Sequence, residues 1–228
     1  MSPPDGAAAP VSIGQFAALL SATAPRLGQT RLIALDGRSG SGKTWLAGLL
    51  AARLDAPLIH MDDLYPGWDG LLKSAEALAD WVVGPLASGR PARWRRYDWD
   101  LMRYAEWHVT APAPVIVLEG CGAVRARLSA GYAARVWVEA PAAARRRRLR
   151  ARPDWALYQP HVARWADLED HLYQAEQTRQ ECDVVVANPR EAADGTPRLT
   201  LHIQSSDRST SNLASISATD TPAKDSLR

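Results

Sequence analysis

The residues best spaced for chemistry form one short stretch, Asp36-Gly37-Arg38-Ser39-Gly40-Ser41-Gly42-Lys43-Thr44. It fits G-x-x-x-x-G-K-[ST] through Gly37, Gly42, Lys43 and Thr44. The spacing has a mechanical reason. Glycines let the chain wrap until consecutive backbone N–H groups, those of Arg38, Ser39, Gly40 and Ser41 included, converge on phosphate oxygens at the positive end of the following helix. A lysine at position 43 reaches β- and γ-phosphates, and a hydroxyl at position 44 can hold Mg²⁺. A chain of this composition meets the pattern by chance about once in a thousand. The stretch also follows an apolar run, Leu32-Ile33-Ala34-Leu35, and precedes a helical one, Trp45 to Leu50, as the pattern requires. Nucleotide-phosphate binding is the chemistry it implies.

Three further groups stand where such a ligand could meet them. His60-Met61-Asp62-Asp63-Leu64-Tyr65 ends a second apolar run, so Asp62 can orient an acceptor hydroxyl or organise Mg²⁺. Glu119-Gly120 ends a third, and a carboxylate closing a wholly apolar strand calls for a functional reason, such as holding metal-bound water. In Arg145-Arg146-Arg147-Arg148-Leu149-Arg150-Ala151-Arg152, the positions 145, 148 and 152 share a helical face and can act as a phosphate lid, while Arg146 and Arg147 face solvent. The segment from Trp94 to Arg103 is rich in aromatics. Tyr97 and Trp99 can stack on a planar substrate with Asp98 or Arg103 reading its polar edge, or they can simply pack. The five histidines show no metal-binding spacing and are given no role.

Elements that could position these groups follow from the apolar pattern. Residues 32–35, 57–60, 115–118, 136–138 and 184–186 are continuously apolar or nearly so, as strands buried on both faces must be. Helical stretches at 44–54, 71–87, 142–151 and 161–181 separate several of them, which predicts a parallel sheet covered on both sides. Ligands of such sheets sit beyond the carboxyl ends of the strands, where the groups above lie. Ser12 can cap a short helix carrying Phe16, Leu19 and Leu20, and residues 199–203 read as a late strand of uncertain place. Residues 1–28 are expected to be a leader plus short helix, 29–204 the main domain, and 205–228, rich in Ser, Thr and Asp, a disordered tail. Within the main domain, an acceptor-side segment spans about 64–110 and the arginine-rich lid about 142–155.

Composition excludes other classes. The chain has 228 residues, 46% hydrophobic and 23% charged, which suits an ordinary globular protein of one domain. No apolar run approaches the ~18 residues of a membrane span. The start lacks the pattern of a secretory signal, and Cys121 and Cys182 have neither redox nor metal spacing, so a cytoplasmic setting is expected. The 27 basic residues are 24 arginines and only Lys43, Lys73 and Lys224, and a net charge of +2 is too small by itself to imply a nucleic-acid binder.

Taken in order, the glycine-rich stretch, Asp62-Asp63-Leu64-Tyr65, Tyr97-Asp98-Trp99, Glu119-Gly120 and Arg145/Arg148/Arg152 resemble the uridine kinase-like (nucleoside and phosphoribulokinase) family of P-loop kinases. The resemblance spans roughly residues 31–190. It implies a three-layer α/β fold, a P-loop NTPase domain with a five-stranded parallel sheet of order 2-3-1-4-5 flanked by helices. It also implies ATP and Mg²⁺ as cofactors and a small-molecule hydroxyl as acceptor, most readily a nucleoside. By resemblance Asp62 orients and deprotonates the acceptor, Lys43, Arg148 and Arg152 act on the transferred group, and Thr44 and Glu119 hold the metal. Residues 37–44 and Arg145 bind the nucleotide, and Tyr65, Tyr97, Asp98, Trp99 and Arg103 meet the acceptor. The sequence departs from the family where Met102 replaces a base-reading histidine, with Arg103 one position off, and where Arg152-Pro153-Asp154 stands for Arg-Asp. A nucleoside monophosphate kinase using Arg93, Arg95, Arg96 and Arg103, or a non-catalytic nucleotide-binding regulator, are the alternatives; a homo-oligomer is compatible with either.

Overall fold

The computed structural model describes residues 10–191 and 197–204. The leader at 1–9 and the expected tail at 205–228 lie outside the described residues. Among the described residues, nine strands form two sheets: β1 (Pro10–Ser12), β2 (Arg31–Asp36), β3 (Leu58–His60), β4 (Ala92–Asp98), β5 (Arg103–Thr110), β6 (Val115–Glu119), β7 (Tyr132–Glu139), β8 (Val184–Glu191) and β9 (Pro197–Ile203). The main helices are α1 (Ile13–Ser21), α2 (Lys43–Leu54), α3 (Ala142–Arg150) and α4 (Val162–Glu176).

The expectation of a five-stranded, all-parallel sheet of order 2-3-1-4-5 is corrected. The main sheet has seven strands in the order β1-β9-β8-β7-β2-β6-β3 and is mixed. Strands β8, β7, β2, β6 and β3 pair in parallel, but β9 runs antiparallel to β8 and β1 antiparallel to β9. The physical reason is the exposed edge of β8, whose backbone donors and acceptors would otherwise be bare. The returning strand pairs Val184 with Ile203 and Val186 with Leu201. A three-residue strand such as β1 leaves no periodic signal in a sequence.

Continuous apolar runs arise because the sheet is covered on both faces. Successive residues of β2 alternate between two cores, Leu32 and Ala34 on one side and Ile33 and Leu35 on the other. The second core packs β2 and β7 against Phe16 and Leu20 of α1 and Leu46 and Leu50 of α2. Ser12 and Gln15 close a reciprocal capping box at the start of α1. The first core joins the sheet to α4, to the helical stretch 74–87 and to a β4–β5 hairpin that forms its own two-stranded sheet. The hairpin leaves no clean strand signal in the sequence, because its alternation is interrupted by a shift of register between Arg95 and Tyr97. The helix expected at 161–181 ends instead at Glu176, with Gln177 at φ 50, and resumes only at Thr178–Glu181. Among the described residues, no helix is long and apolar enough to cross a membrane.

Candidate active site

The site lies at the carboxyl ends of β2, β3 and β6. After Asp36 the chain wraps tightly into α2, and two glycines in the wrap have steric reasons. A Cβ on Gly37 (φ 145) would lie 2.1 Å from the Val138 carbonyl oxygen, and one on Gly40 (φ 77) would lie 2.7 Å from that of Arg145. Asp36 anchors the entry. Wholly buried, it accepts from the amides of Gly37, Gly122 and Val124 at 2.6–3.0 Å and from the Tyr173 hydroxyl at 2.8 Å. Burial still outweighs these donors and pushes its carboxyl up to about 6.

The loop spends alternate amides on the protein. Gly37 N–H goes to Asp36, Ser39 N–H to Glu169 at 2.8 Å and Ser41 N–H to the Arg38 carbonyl at 3.1 Å. Among the described residues, no protein acceptor is bonded to the amides of Gly40, Gly42, Lys43 or Thr44. Gly42 caps α2 without a side-chain bond, so the first turn of that helix keeps its donors open. Lys43 is buried beside this opening. Burial pulls its pKa down, but nearby Cys121, Glu119, Glu169 and Asp62 prevail and hold its ammonium above the ordinary range.

A cavity of about 770 Å³ opens in front of these donors. Of the residues singled out from the sequence, Ser39, Gly40, Gly42, Lys43 and Thr44 line its loop side, and Glu119, Arg148 and Arg152 line it further round. Asp62, Tyr65, Asp98 and Trp99 form its far wall. Gly37, Arg38, Ser41, Tyr97, Arg103 and Arg145 do not line it. Thr44 Oγ1 donates to Glu119 Oε2 at 3.1 Å, while His60 Nδ1 meets Glu119 Oε1 at 2.6 Å. That bond raises the His60 pKa, so the imidazolium is favoured there. Paired hydroxyl and carboxylate oxygens suit a hard divalent cation that keeps most of its shell on water and phosphate. Among the described residues, no group of three or more His, Cys, Asp or Glu could hold a metal by itself.

Asp62 projects from a 3₁₀ turn, Met61–Asp63, directly after β3. It is open to the cavity, yet the surrounding walls, and then the charge of Glu119, raise its carboxyl pKa against the pull of Lys43 and Arg152. Two indoles fix this turn to the hairpin: Trp99 Nε1 donates to the Asp62 carbonyl and Trp94 Nε1 to Asp63 Oδ2, each at 3.1 Å. Tyr65 donates to the Cys121 carbonyl at 2.6 Å. Trp99 therefore both positions the acid and walls the cavity. Tyr97 only packs, 5.1 Å from Trp99 and 5.3 Å from Tyr104 between ring centroids. Asp98 caps the hairpin turn through the amides of Asp100 and Leu101 and pairs with Arg96.

The arginines divide. Helix α3 ends at Arg150, so Arg152 leaves the face shared by 145 and 148. Arg152 pairs with Asp154 and lies over the Tyr158 ring. Arg145 donates to the Ser39 carbonyl at 3.2 Å, and Arg148 to those of Gly40 and Ser41 at 3.3 and 2.9 Å. Arg38 turns outward to Asp170 and, with Arg145, lines a second cavity of about 680 Å³ on the other side of the loop. Arg103 is exposed on β5.

Several residues of the site escaped sequence reasoning. Asp36, His60, Glu169, Trp68, Tyr158 and Trp165 all touch the loop or line the main cavity. His60 had one available signal, its place at the end of a strand beside Asp62. Glu169 had none, since a single acid on an amphipathic helix looks like solvated surface until the helix is docked. Cys121 is in the cavity wall, but burial pushes its thiol up to about 12, which keeps it from acting as a nucleophile.

No protein-family model matches the sequence, and no curated protein matches it. Among solved structures, the chain is similar to one described as a possible uridine kinase from Bacillus stearothermophilus. Identity is 20% over 76% of this chain and 96% of that one, with a TM-score of 0.56. A candidate fructose transport system kinase from a Silicibacter species aligns at 22% identity over 74% and 89% of the two chains, with a TM-score of 0.48. The chain thus has a P-loop-kinase-like fold.

Proposed function

We propose that this protein is an ATP- and Mg²⁺-dependent phosphotransferase that moves the γ-phosphoryl group to a hydroxyl of a small molecule, a nucleoside being the favoured acceptor. One observation carries the reading: a single cavity has the unbonded amides of the glycine-rich loop and Lys43 on one side and the Asp62 carboxylate on the other. In it, the amides of Gly40, Gly42, Lys43 and Thr44 take the phosphate oxygens, with the Lys43 ammonium countering their charge. Thr44 and Glu119 hold Mg²⁺, which when bound neutralises charge on the phosphates, and His60 fixes the Glu119 carboxylate. The cavity beyond Arg38 receives the rest of the donor nucleotide, bounded by Trp137, Tyr173 and Arg145.

Asp62 accepts a hydrogen bond from the attacking hydroxyl and orients it in line. A loose transition state asks little of the base, so positioning is the larger part of its work. Arg152 faces Asp62 across the cavity and stabilises charge on the transferred group. Tyr65 and Trp99 bound the acceptor, and Asp98 accepts from its polar edge.

A hydroxyl acceptor is favoured over a nucleoside monophosphate by the state of the arginines that a second phosphate would need. Arg93 lies over the Trp107 ring, and Arg95 donates to the carbonyls of Tyr104 and Ala105. Arg96 is held by Glu106 and Asp98, and Arg103 stands outside the cavity. Asp62, Asp63, Asp98, Asp100 and Asp154 all line that cavity, which disfavours an anionic acceptor. The test is purified protein with Mg-ATP and a panel of nucleosides, nucleotides, vitamins and sugars, read by mass. A phosphorylated hydroxyl is expected; labelling of nucleoside monophosphates alone, or of nothing while ATP binds, rejects the assignment.

A further inference from the structure

The sequence suggests a row of arginines reaching over bound phosphates, but two of them donate to carbonyls of the loop. The C=O and N–H of a trans peptide unit point in opposite directions. The Ser39 carbonyl belongs to the same unit as the Gly40 amide, and the Ser41 carbonyl to the same unit as the Gly42 amide. Arg145 binds the first carbonyl at 3.2 Å and Arg148 the second at 2.9 Å. Neither amide has a protein acceptor among the described residues, as is also true of those of Arg38, Lys43 and Thr44. The intervening unit, Gly40 carbonyl with Ser41 amide, is closed from both sides by Arg148 and the Arg38 carbonyl. Helix α3 is seated close enough for this because Gly40 has no side chain to collide with the Arg145 backbone.

We infer that Arg145 and Arg148 are positioning residues, which aim and polarise the Gly40 and Gly42 amides toward the phosphates and do not themselves receive the transferred group. A charged donor on the carbonyl fixes the plane of the peptide and makes its N–H a stronger donor. The assignment rests on the phosphate-loop reading above. It also gives the arginines separate roles, with Arg145 and Arg148 serving the loop and Arg152 serving the reacting end of the cavity.

The test uses ¹⁵N-labelled protein and calorimetry with Mg-ATP, Mg-ADP and inorganic tripolyphosphate. In Arg148→Met without nucleotide, the Gly42 amide proton is expected to move upfield. Affinity should fall about tenfold for all three ligands alike, leaving the ATP-to-ADP ratio at its wild-type value. Arg145→Met should repeat the pattern at Gly40, and it decides the matter if Arg148→Met does not fold. An unmoved glycine amide overturns the inference, as does unchanged affinity or a loss that spares ADP and falls on ATP and tripolyphosphate, the mark of direct contact with the terminal phosphate. Wild-type protein that binds none of the three ligands overturns the phosphate-loop reading itself.

Discussion

The two sides of the main cavity are built in different ways. The loop side is made by one contiguous stretch and presents backbone amides, and Asp36, Glu169, Arg145 and Arg148 hold that stretch in place. The far side is made of side chains from separate segments: Asp62 and Tyr65 after β3, Trp99 at the hairpin, and Arg152, Tyr158 and Trp165 around the start of α4. Backbone donors serve any polyphosphate, because every residue supplies the same N–H. Side chains can be exchanged without disturbing the wrap, so the proposed function assigns acceptor choice to the far side.

The largest effect is expected at Lys43. Lys43→Met should reduce turnover by about 10³-fold or more, roughly 4 kcal/mol, and weaken Mg-ATP binding in calorimetry. Equal binding and turnover in that variant would remove the loop side from the chemistry. Asp62→Asn comes next, with an expected loss of about 10²- to 10³-fold in kcat and little change in ATP affinity. Unaltered kcat there would leave the far side as a binding wall only.

A pH signature separates the two sides at the level of stability. The folded-state pKa of Asp36, about 6, exceeds its ordinary value of 3.8, so the native protein holds this proton more tightly than the unfolded chain does. Its contribution is therefore greatest below about pH 4, is lost as pH rises to about 6, and is flat above that. The size is up to about 3 kcal/mol. Urea denaturation between pH 4 and 7 should show a slope that Asp36→Asn lacks, and identical slopes would place the carboxylate in a less desolvated setting than its burial implies. The smallest effect belongs to Trp99→Leu, which removes the indole bond to the Asp62 carbonyl and part of the wall. The acceptor KM should rise about tenfold with ATP affinity unmoved; a matching loss of ATP affinity would show the two sides to be one rigid unit.

Legibility in the sequence follows the same division. The strands at 32–35 and 115–118 could be read because a strand buried on both faces must be apolar throughout, and the stretch 37–44 because its tight wrap needs glycine at fixed intervals. Edge strand β1 and its neighbour β9 could not be placed that way, and these two antiparallel strands are what make the sheet seven-stranded and mixed. Tyr97 and Trp99 are indistinguishable as letters. Only the hairpin register decides that one ring is buried packing and the other a wall bonded to Asp62.

By itself, the chain's order of residues determined a tightly wrapped, glycine-rich turn between a strand and a helix, since the glycines that permit the wrap are local and contiguous. Tertiary structure alone decided which arginines grip loop carbonyls, that His60 rests on Glu119, and that Glu169, 130 positions away, holds the Ser39 amide. The arginine and Glu169 contacts depend on how α3 and α4 dock against the sheet, and the His60 contact on the pairing of β3 with β6. Docking is set by packing of distant surfaces, which no local pattern encodes.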